Sequence, residues 1–456
     1  MAEQSAGARI EPWLREILRC PQCRAELADA TGPERAPELR CTNAECGLQY
    51  RIDDGVPVLL VDEARIDSEE AIAALDSRQT LRGLATAGAQ VREAVALSQE
   101  GGIEKVAGGE RPRSVLVASL GGSAVVCDVL ELLAEPGSPV PVSIRRNVPL
   151  PGWVGPLDLV IAVSQSGRAA GPLALAAEAG RRGAALLTVG AADSPLADVA
   201  ARARGVHISL GRGQGTTRTS LWSLLTPVLL GAGHLGVIDV GEQVLMQVAE
   251  RLDEVAGACR PSAESFVNPA KVLACDLAEG VPVVLGDGAL NGVAARRAVS
   301  MLARTARLPA MAGELPDAAA QIVSCFDGPF TSAYGEAASR GAGSGGLLGG
   351  GDIFADPYLD GPVSPRLALL MLRDAAPDPM TREAAEALAL GDAVVSGARE
   401  AGVKVSEVTA EPGHSLVRLA GQIATTDFAS TYLALGLGLD PAVSSHVADL
   451  ADRTGG

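Results

Sequence analysis

The residues best suited to chemistry lie in an early cysteine set and in two turns rich in glycine and serine. Cys20-Pro-Gln-Cys23 and Cys41-Thr-Asn-Ala-Glu-Cys46 form C-x2-C and C-x4-C knuckles. Two such knuckles supply the four soft ligands of a tetrahedral zinc site. A thioredoxin-like redox pair is the other reading of close cysteines, and it calls for a βαβ context that this stretch lacks. Further along, Leu120-Gly-Gly-Ser123 and Ser164-Gln-Ser-Gly167 each follow an apolar run and precede a helical pattern. Gly121, Gly122 and Ser123 offer backbone N–H groups and a hydroxyl, and Ser164, Ser166 and Gly167 offer two more hydroxyls. Strand ends that lead into helices are where α/β proteins hold anions. Arg218, in Thr216-Thr-Arg-Thr-Ser220, can supply a cation. Phosphate is the anion such turns suit; either turn alone is also consistent with an ordinary connection.

The elements around these residues follow from periodicity. Leu48–Ile52 and Val56–Val61 alternate like strands, with Asp54-Gly55 between them as a tight turn. A β module this small needs a metal to fold. Residues 66–100 read as linker and helices. Strand–turn–helix units then repeat: strands at 114–119, 140–145, 158–164 and 185–189, with helices after each Gly/Ser turn. A second set follows a long helix near 241–256, with strands at 281–285, 367–372 and 403–408 and helices at 291–304, 381–402 and 416–437. Alternation of this kind implies parallel sheets with helices on both faces. Gly341–Gly351 is glycine-rich and reads as a mobile loop. The expected divisions are 1–65 for the zinc ribbon, 66–110 for linker and helices, 111–250 for a first lobe and 251–456 for a second.

Composition narrows the classes. The 456 residues carry a formal charge of −17, which argues against nucleic-acid or anionic-membrane partners. The most apolar region, 221–240, contains Thr226 and His234 and reads as a buried core helix rather than a membrane span. The N-terminus shows no export signal, so a cytoplasmic protein is expected. Cys127, Cys259, Cys275 and Cys325 are scattered through apolar segments and read as small hydrophobes. Lys105, Lys271 and Lys404 are the only lysines, so lysine chemistry has few candidates.

Trp13–Glu63 resembles the small zinc-ribbon family of tRNA-methyltransferase activator subunits, through Ile17-Leu-Arg-Cys-Pro-Gln-Cys23 and the run Ile52 to Ala64. That resemblance implies a structural zinc and a module that docks on a partner without doing chemistry itself. From about residue 80 to 453 the chain resembles SIS (sugar isomerase) domain proteins, and among them the bifunctional phosphoglucose/phosphomannose isomerases. The carriers are Ser119-Leu-Gly-Gly-Ser-Ala124, Val163-Ser-Gln-Ser-Gly167, Gly313 to Gln321, and Ser430 to Pro441. The resemblance implies two αβα lobes, a homodimer, and a hexose phosphate or related sugar phosphate as ligand. It places phosphate on Gly121, Gly122, Ser123, Ser164, Ser166 and Arg218. Ala169 and Arg168 depart from it, standing where the family has Thr and Asn.

The family's proton-transfer groups do not carry over. Aldose–ketose isomerisation moves a proton between C1 and C2 and needs a carboxylate base. Arg304 stands at that base position, and a guanidinium takes no proton at neutral pH. Ala320 stands where the ring-opening histidine belongs, and the late lysine falls near Ala451. Glu314 and His414 are the candidate stand-ins. Three readings follow: a sugar-phosphate-binding pseudoenzyme, a working isomerase that uses Glu314 and His414, or a zinc-ribbon scaffold for a methyltransferase.

Overall fold

A computed structural model describes residues 10–32, 36–53, 55–109, 111–211, 215–278, 280–331, 366–376 and 379–454. Asp54 and the glycine-rich stretch 341–351 lie outside them. After a short helix α1 (Pro12–Ile17), the first module is an antiparallel sheet of β1 (Leu27–Thr31), β2 (Pro37–Cys41), β3 (Gln49–Asp53) and β4 (Val56–Pro57), paired in that order. Leu39 and Cys41 of β2 point inward with Cys20, Leu27, Leu48 and Tyr50, while Arg40 between them faces water. This core is small, and the cysteines are part of it.

Helices α2 (Val61–Asp67), α3 (Glu69–Leu75), α4 (Thr80–Ala85) and α5 (Ala87–Glu100) lead into the first large sheet. Its strands are β5 (Ser114–Ala118), β6 (Val142–Arg145), β7 (Asp158–Ser164), β8 (Ala185–Gly190) and β9 (Val206–Ser209). All are parallel, in the order β6-β5-β7-β8-β9. β5 and β7 are buried along their whole length, because side chains alternate between two covered faces. Val115, Val117, Leu159, Ile161 and Val163 face α5, α6 (Val125–Ala134) and α9 (Leu221–His234). Leu116, Ala118, Val160 and Ala162 face α7 (Ala170–Arg181) and α8 (Pro195–Arg202). The region expected to be a core helix is α9, buried from Leu221 to Ala232.

The second sheet repeats the plan. β10 (Gly280–Asp287), β11 (Met311–Leu315), β12 (Arg366–Asp374) and β13 (Lys404–Ala410) are parallel in the order β11-β10-β12-β13. Numbered within each sheet, both run 2-1-3-4, and the first adds a fifth strand. Val284, Leu370 and Leu372 join the same core as the inner face of the first sheet, through α10 (Glu242–Ala258), α11 (Pro269–Ala278) and α12 (Ala289–Met301). The outer face packs on α13 (Ala319–Ser324) and α14 (Arg382–Glu400). α15 (Ser415–Gly436) runs through the shared core and is buried over most of its length; α16 (Ser445–Thr454) follows. The sequence pattern did not announce α8, β9, α11, β11 or α13, which are short or lack strong alternation.

The ribbon is fastened to the second lobe by charge. Arg65 of α2 donates to the Gly436 carbonyl at 2.9 Å and to Gln22 at 2.8 Å. Lys271 of α11 is fully buried, and its ammonium donates to Asp67 at 3.0 Å and to the carbonyls of Pro261 and Ala263 at 2.8 and 2.7 Å. Its three protons therefore have three acceptors, and burial lowers its pKa. Lys271 is a clamp rather than a free amine.

Candidate functional site

The order β6-β5-β7 means that the chain leaves β5 in one direction and returns on its other side. That reversal opens a crevice beyond the C-terminal ends of β5 and β7, where ligands of open α/β sheets bind. The register Ala118↔Ala162 sets those two ends side by side. Both Gly/Ser turns therefore sit on one edge. Gly121 has φ +62°, which suits glycine. Ser123 and Ser164 are buried, while Gly121 and Ser166 are exposed. Neither α6 nor α7 has a side-chain cap, so N–H groups remain at both helix starts. The Ser164 hydroxyl accepts from the Ala169 N–H, and that of Ser166 from the Arg168 N–H, each at 3.3 Å. Both hydroxyl protons remain able to donate to an anion.

The stretch 215–220 ties the two turns together. The Gln165 amide, from the second turn, donates to the Gly215 carbonyl and, at 3.3 Å, to the Ser220 hydroxyl. Thr217 accepts from Arg304 Nη2 at 2.8 Å. Among the described residues Arg304 Nη1 is buried without a partner, and it lies against Gly122, 2.2 Å from where a Cβ on that glycine would sit. Gly122 is therefore a close-approach glycine.

Arg218 takes a different place from the one expected. Its terminal nitrogens donate to the Ala442 carbonyl at 3.3 Å and the Arg304 carbonyl at 2.9 Å, so it braces Arg304. The cation on the first turn is Arg304. Behind both, buried Arg297 grips Asp427 of α15, with Nη2 at 2.8 Å and Nε at 3.1 Å. It also donates to the carbonyls of Gly122 (3.4 Å) and Arg218 (3.0 Å). Burial raises the Asp427 carboxyl, and Arg297 opposes that rise. Burial, then Arg218 and Arg297, lower Arg304 to about 10. Arg297 and Arg304 thus face Asp427, while Arg218 has Arg307, Arg78 and Asp440 as charged neighbours, so guanidinia outnumber carboxylates here, an arrangement that favours a bound anion. Arg297 and Asp427 gave no motif in the sequence. Arg304 was legible there only as a missing base.

Glu314 and His414 do not come together. Glu314 pairs with Arg296 at 3.0 Å and lines a cavity of about 720 Å³ between α6, β6 and α12. His414 caps α15, its Nδ1 accepting from the Leu416 N–H at 3.1 Å, and lines a different cavity of about 970 Å³ beside α10, α11 and β13. The second sheet has the same reversal at the ends of β10 and β12, but its own charges occupy that edge. Arg373 there pairs with Asp392 at 2.8 Å, Glu407 at 3.2 Å and Asp287 at 3.6 Å.

In the ribbon, the sulfurs of Cys20, Cys23, Cys41 and Cys46 lie within 4.8 Å of one another. Cys20–Cys46 is 3.7 Å and Cys23–Cys41 is 3.4 Å. A tetrahedron with Zn–S bonds near 2.3 Å has sulfurs about 3.8 Å apart, so the donor set fits zinc. Tyr50 lies 3.1 Å from Cys20 Sγ, and burial keeps its hydroxyl protonated to donate to a thiolate. The Ala25 N–H brings Cys23 down to about 7, while burial pushes Cys41 up to about 12.

Two parallel 2-1-3-4 sheets on a common helical layer, with Gly/Ser turns at a strand reversal, define the SIS fold. Solved structures agree on the fold. A hypothetical protein of Thermus thermophilus matches with TM-score 0.59 at 15% identity, covering 85% of this chain and 94% of its own. Tagatose-6-phosphate ketose/aldose isomerase of Escherichia coli matches with TM-score 0.52 at 12% identity, over 82% and 94%. Residues 266–453 match the bacterial phospho-glucose isomerase C-terminal SIS domain. A bifunctional phosphoglucose/phosphomannose isomerase of Caldicellulosiruptor bescii is 25% identical over 196 residues, 43% of this chain and 57% of that one. The chain thus spans little more than half the length of that relative. The N-terminal module belongs to the UPF0434 family: it is 38% identical over 66 residues to a member from Alcanivorax borkumensis, covering 14% of this chain and 98% of that one, and 54% identical over 56 residues to one from Burkholderia thailandensis, covering 12% and 75%. Among the described residues no helix is long and apolar enough to cross a membrane.

Two outcomes are expected. Purified full-length chain should contain close to stoichiometric zinc by elemental analysis. Cys20→Ser with Cys23→Ser should lose the metal and expose the first 60 residues to protease; a metal-free protein indifferent to these changes would contradict the assignment. Asp427→Ala should cost about 3–5 kcal/mol in denaturant titrations, because it strands a buried guanidinium. The double change Arg297→Met with Asp427→Leu should cost less; an equal or larger loss would show that the pair is not acting as a unit.

Proposed function

We propose that this chain binds a sugar phosphate in the crevice of the first lobe and has lost aldose–ketose isomerisation. The observation that carries this reading is the position of Arg304. Its guanidinium lies on the Gly122 turn, where the family resemblance calls for a carboxylate base. A permanently charged donor there can hold an anion but cannot take the C2 proton. A relative supports the ligand class, since the matched protein of Caldicellulosiruptor bescii is a bifunctional phosphoglucose/phosphomannose isomerase. The stand-in groups argue against relocated chemistry, because Glu314 and His414 line separate cavities. The chain would then sense hexose phosphates or assist an enzyme that uses them, in the homodimer that the sequence resemblance implies.

The test is a thermal-shift series with hexose and amino-sugar phosphates, paired with a coupled isomerase assay. A ligand at roughly 100 times its Kd adds about 2.7 kcal/mol and raises the melting temperature visibly. Stabilisation by a phosphosugar, lost in Ser164→Ala with Ser166→Ala and unaccompanied by turnover, is the expected result. Conversion of fructose 6-phosphate to glucose 6-phosphate or mannose 6-phosphate that disappears in the same variant would overturn it.

A second reading concerns the ribbon. Trp13, Ile17, Val56 and Leu60 are each more than half exposed on this small module, an apolar set suited to a protein partner. A methyltransferase is the partner its resemblance suggests. Trp13→Asp with Leu60→Asp should abolish a complex with a co-expressed methyltransferase partner; a complex indifferent to both changes, or none formed by the unaltered chain, would remove this reading.

A further inference from the structure

The crevice offers a guanidinium, that of Arg304, in addition to the turn that suits a phosphate. Its two turns follow adjacent strands, β5 and β7, and they differ in chemistry. The Ser164–Gly167 turn offers two hydroxyls and the uncapped start of α7. The Gly121–Ser123 turn is overlaid by Arg304, which has one terminal nitrogen on Thr217 and the other buried without an acceptor among the described residues. Arg218 adds a buried Nε that also lacks a partner among them. Asp427 and Asp440 balance the cluster only in part, because Arg297 takes both oxygens of Asp427 and Arg218 has Arg307 and Arg78 beside it as well as Asp440. A buried guanidinium nitrogen without an acceptor is costly unless a ligand supplies one.

From this geometry we infer that the ligand is a phosphosugar with a second anionic group, its phosphate on the Ser164–Gly167 turn and a carboxylate at the other end of the sugar on Arg304. An aldonic acid phosphate has that form. This rests on the phosphosugar reading of the same crevice. It also accounts for what an arginine does at a position where the relatives' chemistry needs a base. Carboxylate and guanidinium form paired, charge-assisted hydrogen bonds, and an aldehyde or hydroxymethyl end would leave Arg304 unsatisfied. Gly122 matters to the same grip, since a Cβ there would meet Arg304 Nη1 at 2.2 Å and Thr217 Oγ1 at 2.5 Å.

Calorimetric titration of the full chain with 6-phosphogluconate, glucose 6-phosphate and inorganic phosphate tests the inference. The acid phosphate is expected to bind at least about tenfold tighter than glucose 6-phosphate, a difference of about 1.4 kcal/mol. Arg304→Gln should erase that preference while glucose 6-phosphate affinity stays within roughly threefold, and Arg304→Lys should keep part of it. Circular dichroism and melting of each variant separate lost binding from lost folding. Equal affinities of the two sugars for the unaltered chain would overturn the second-anion assignment and leave the phosphosugar reading standing. Equal weakening of both sugars by Arg304→Gln would also overturn it, since Arg304 would then hold the phosphate. Failure of all three ligands to bind would overturn both readings together.

Discussion

Asp427 sits in the middle of α15, deep in the core that both sheets share, and Arg297 reaches it from α12 with the rest of its donors spent on Gly122 and Arg218. One buried ion pair therefore fixes the first lobe's anion turn, the 215–220 stretch and the second lobe's central helices in a single frame. Such a pair adds little net stability, because burial costs each charge its hydration. Its value is positional. Through it, one buried guanidinium holds the Gly122 carbonyl and the Arg218 carbonyl together, beside Arg304. The crevice is in this sense assembled by the second lobe, although its turns belong to the first.

The duplicated topology makes the contrast between the lobes informative. Both sheets reverse direction at the same place, and both could have formed a crevice there. In the second lobe Arg373 is surrounded by Asp287, Asp392 and Glu407, so its charge is answered within the chain. At the first lobe's crevice Arg304 and Arg218 each keep a buried nitrogen without a partner among the described residues. Self-neutralisation closes one edge, and residual positive charge leaves the other ready for an anion. The chain as a whole is acidic, so this local excess runs against the average and would draw an anion to one place.

Much of the fold was legible because parallel strands buried on both faces read as unbroken apolar runs. β5, β7, β10 and β12 have that character, and the Gly/Ser turns after β5 and β7 mark the change from strand to helix. The four cysteines were legible from spacing alone. What the sequence hid was contact across long separations. Arg297 and Asp427 are 130 residues apart and each looks like an ordinary charge on an amphipathic helix. Arg218 looked like the phosphate cation because it lies in a polar, hydroxyl-rich stretch; the path of residues 302–306, which leave α12 as a wider π turn, brings Arg304 onto the Gly122 turn, and Arg218 donates to its carbonyl. β9 and β11 were missed because neither shows a run of consecutive buried residues.

The ribbon obeys the same logic of buried charge. Asp67 closes α2, and Lys271, from the start of the second lobe, gives it one proton and spends the others on two carbonyls. Nothing about a lone lysine in an apolar helix announces this role, yet the contact joins a module of one family to a fold of another. Arg65 strengthens the joint by reaching the last turn of α15, the helix that also carries Asp427. The metal module, the shared core and the crevice are thereby connected through one helix. A ribbon loosened from Gly436 would disturb α15 at one end, and Asp427 lies nine residues away on the same rigid element.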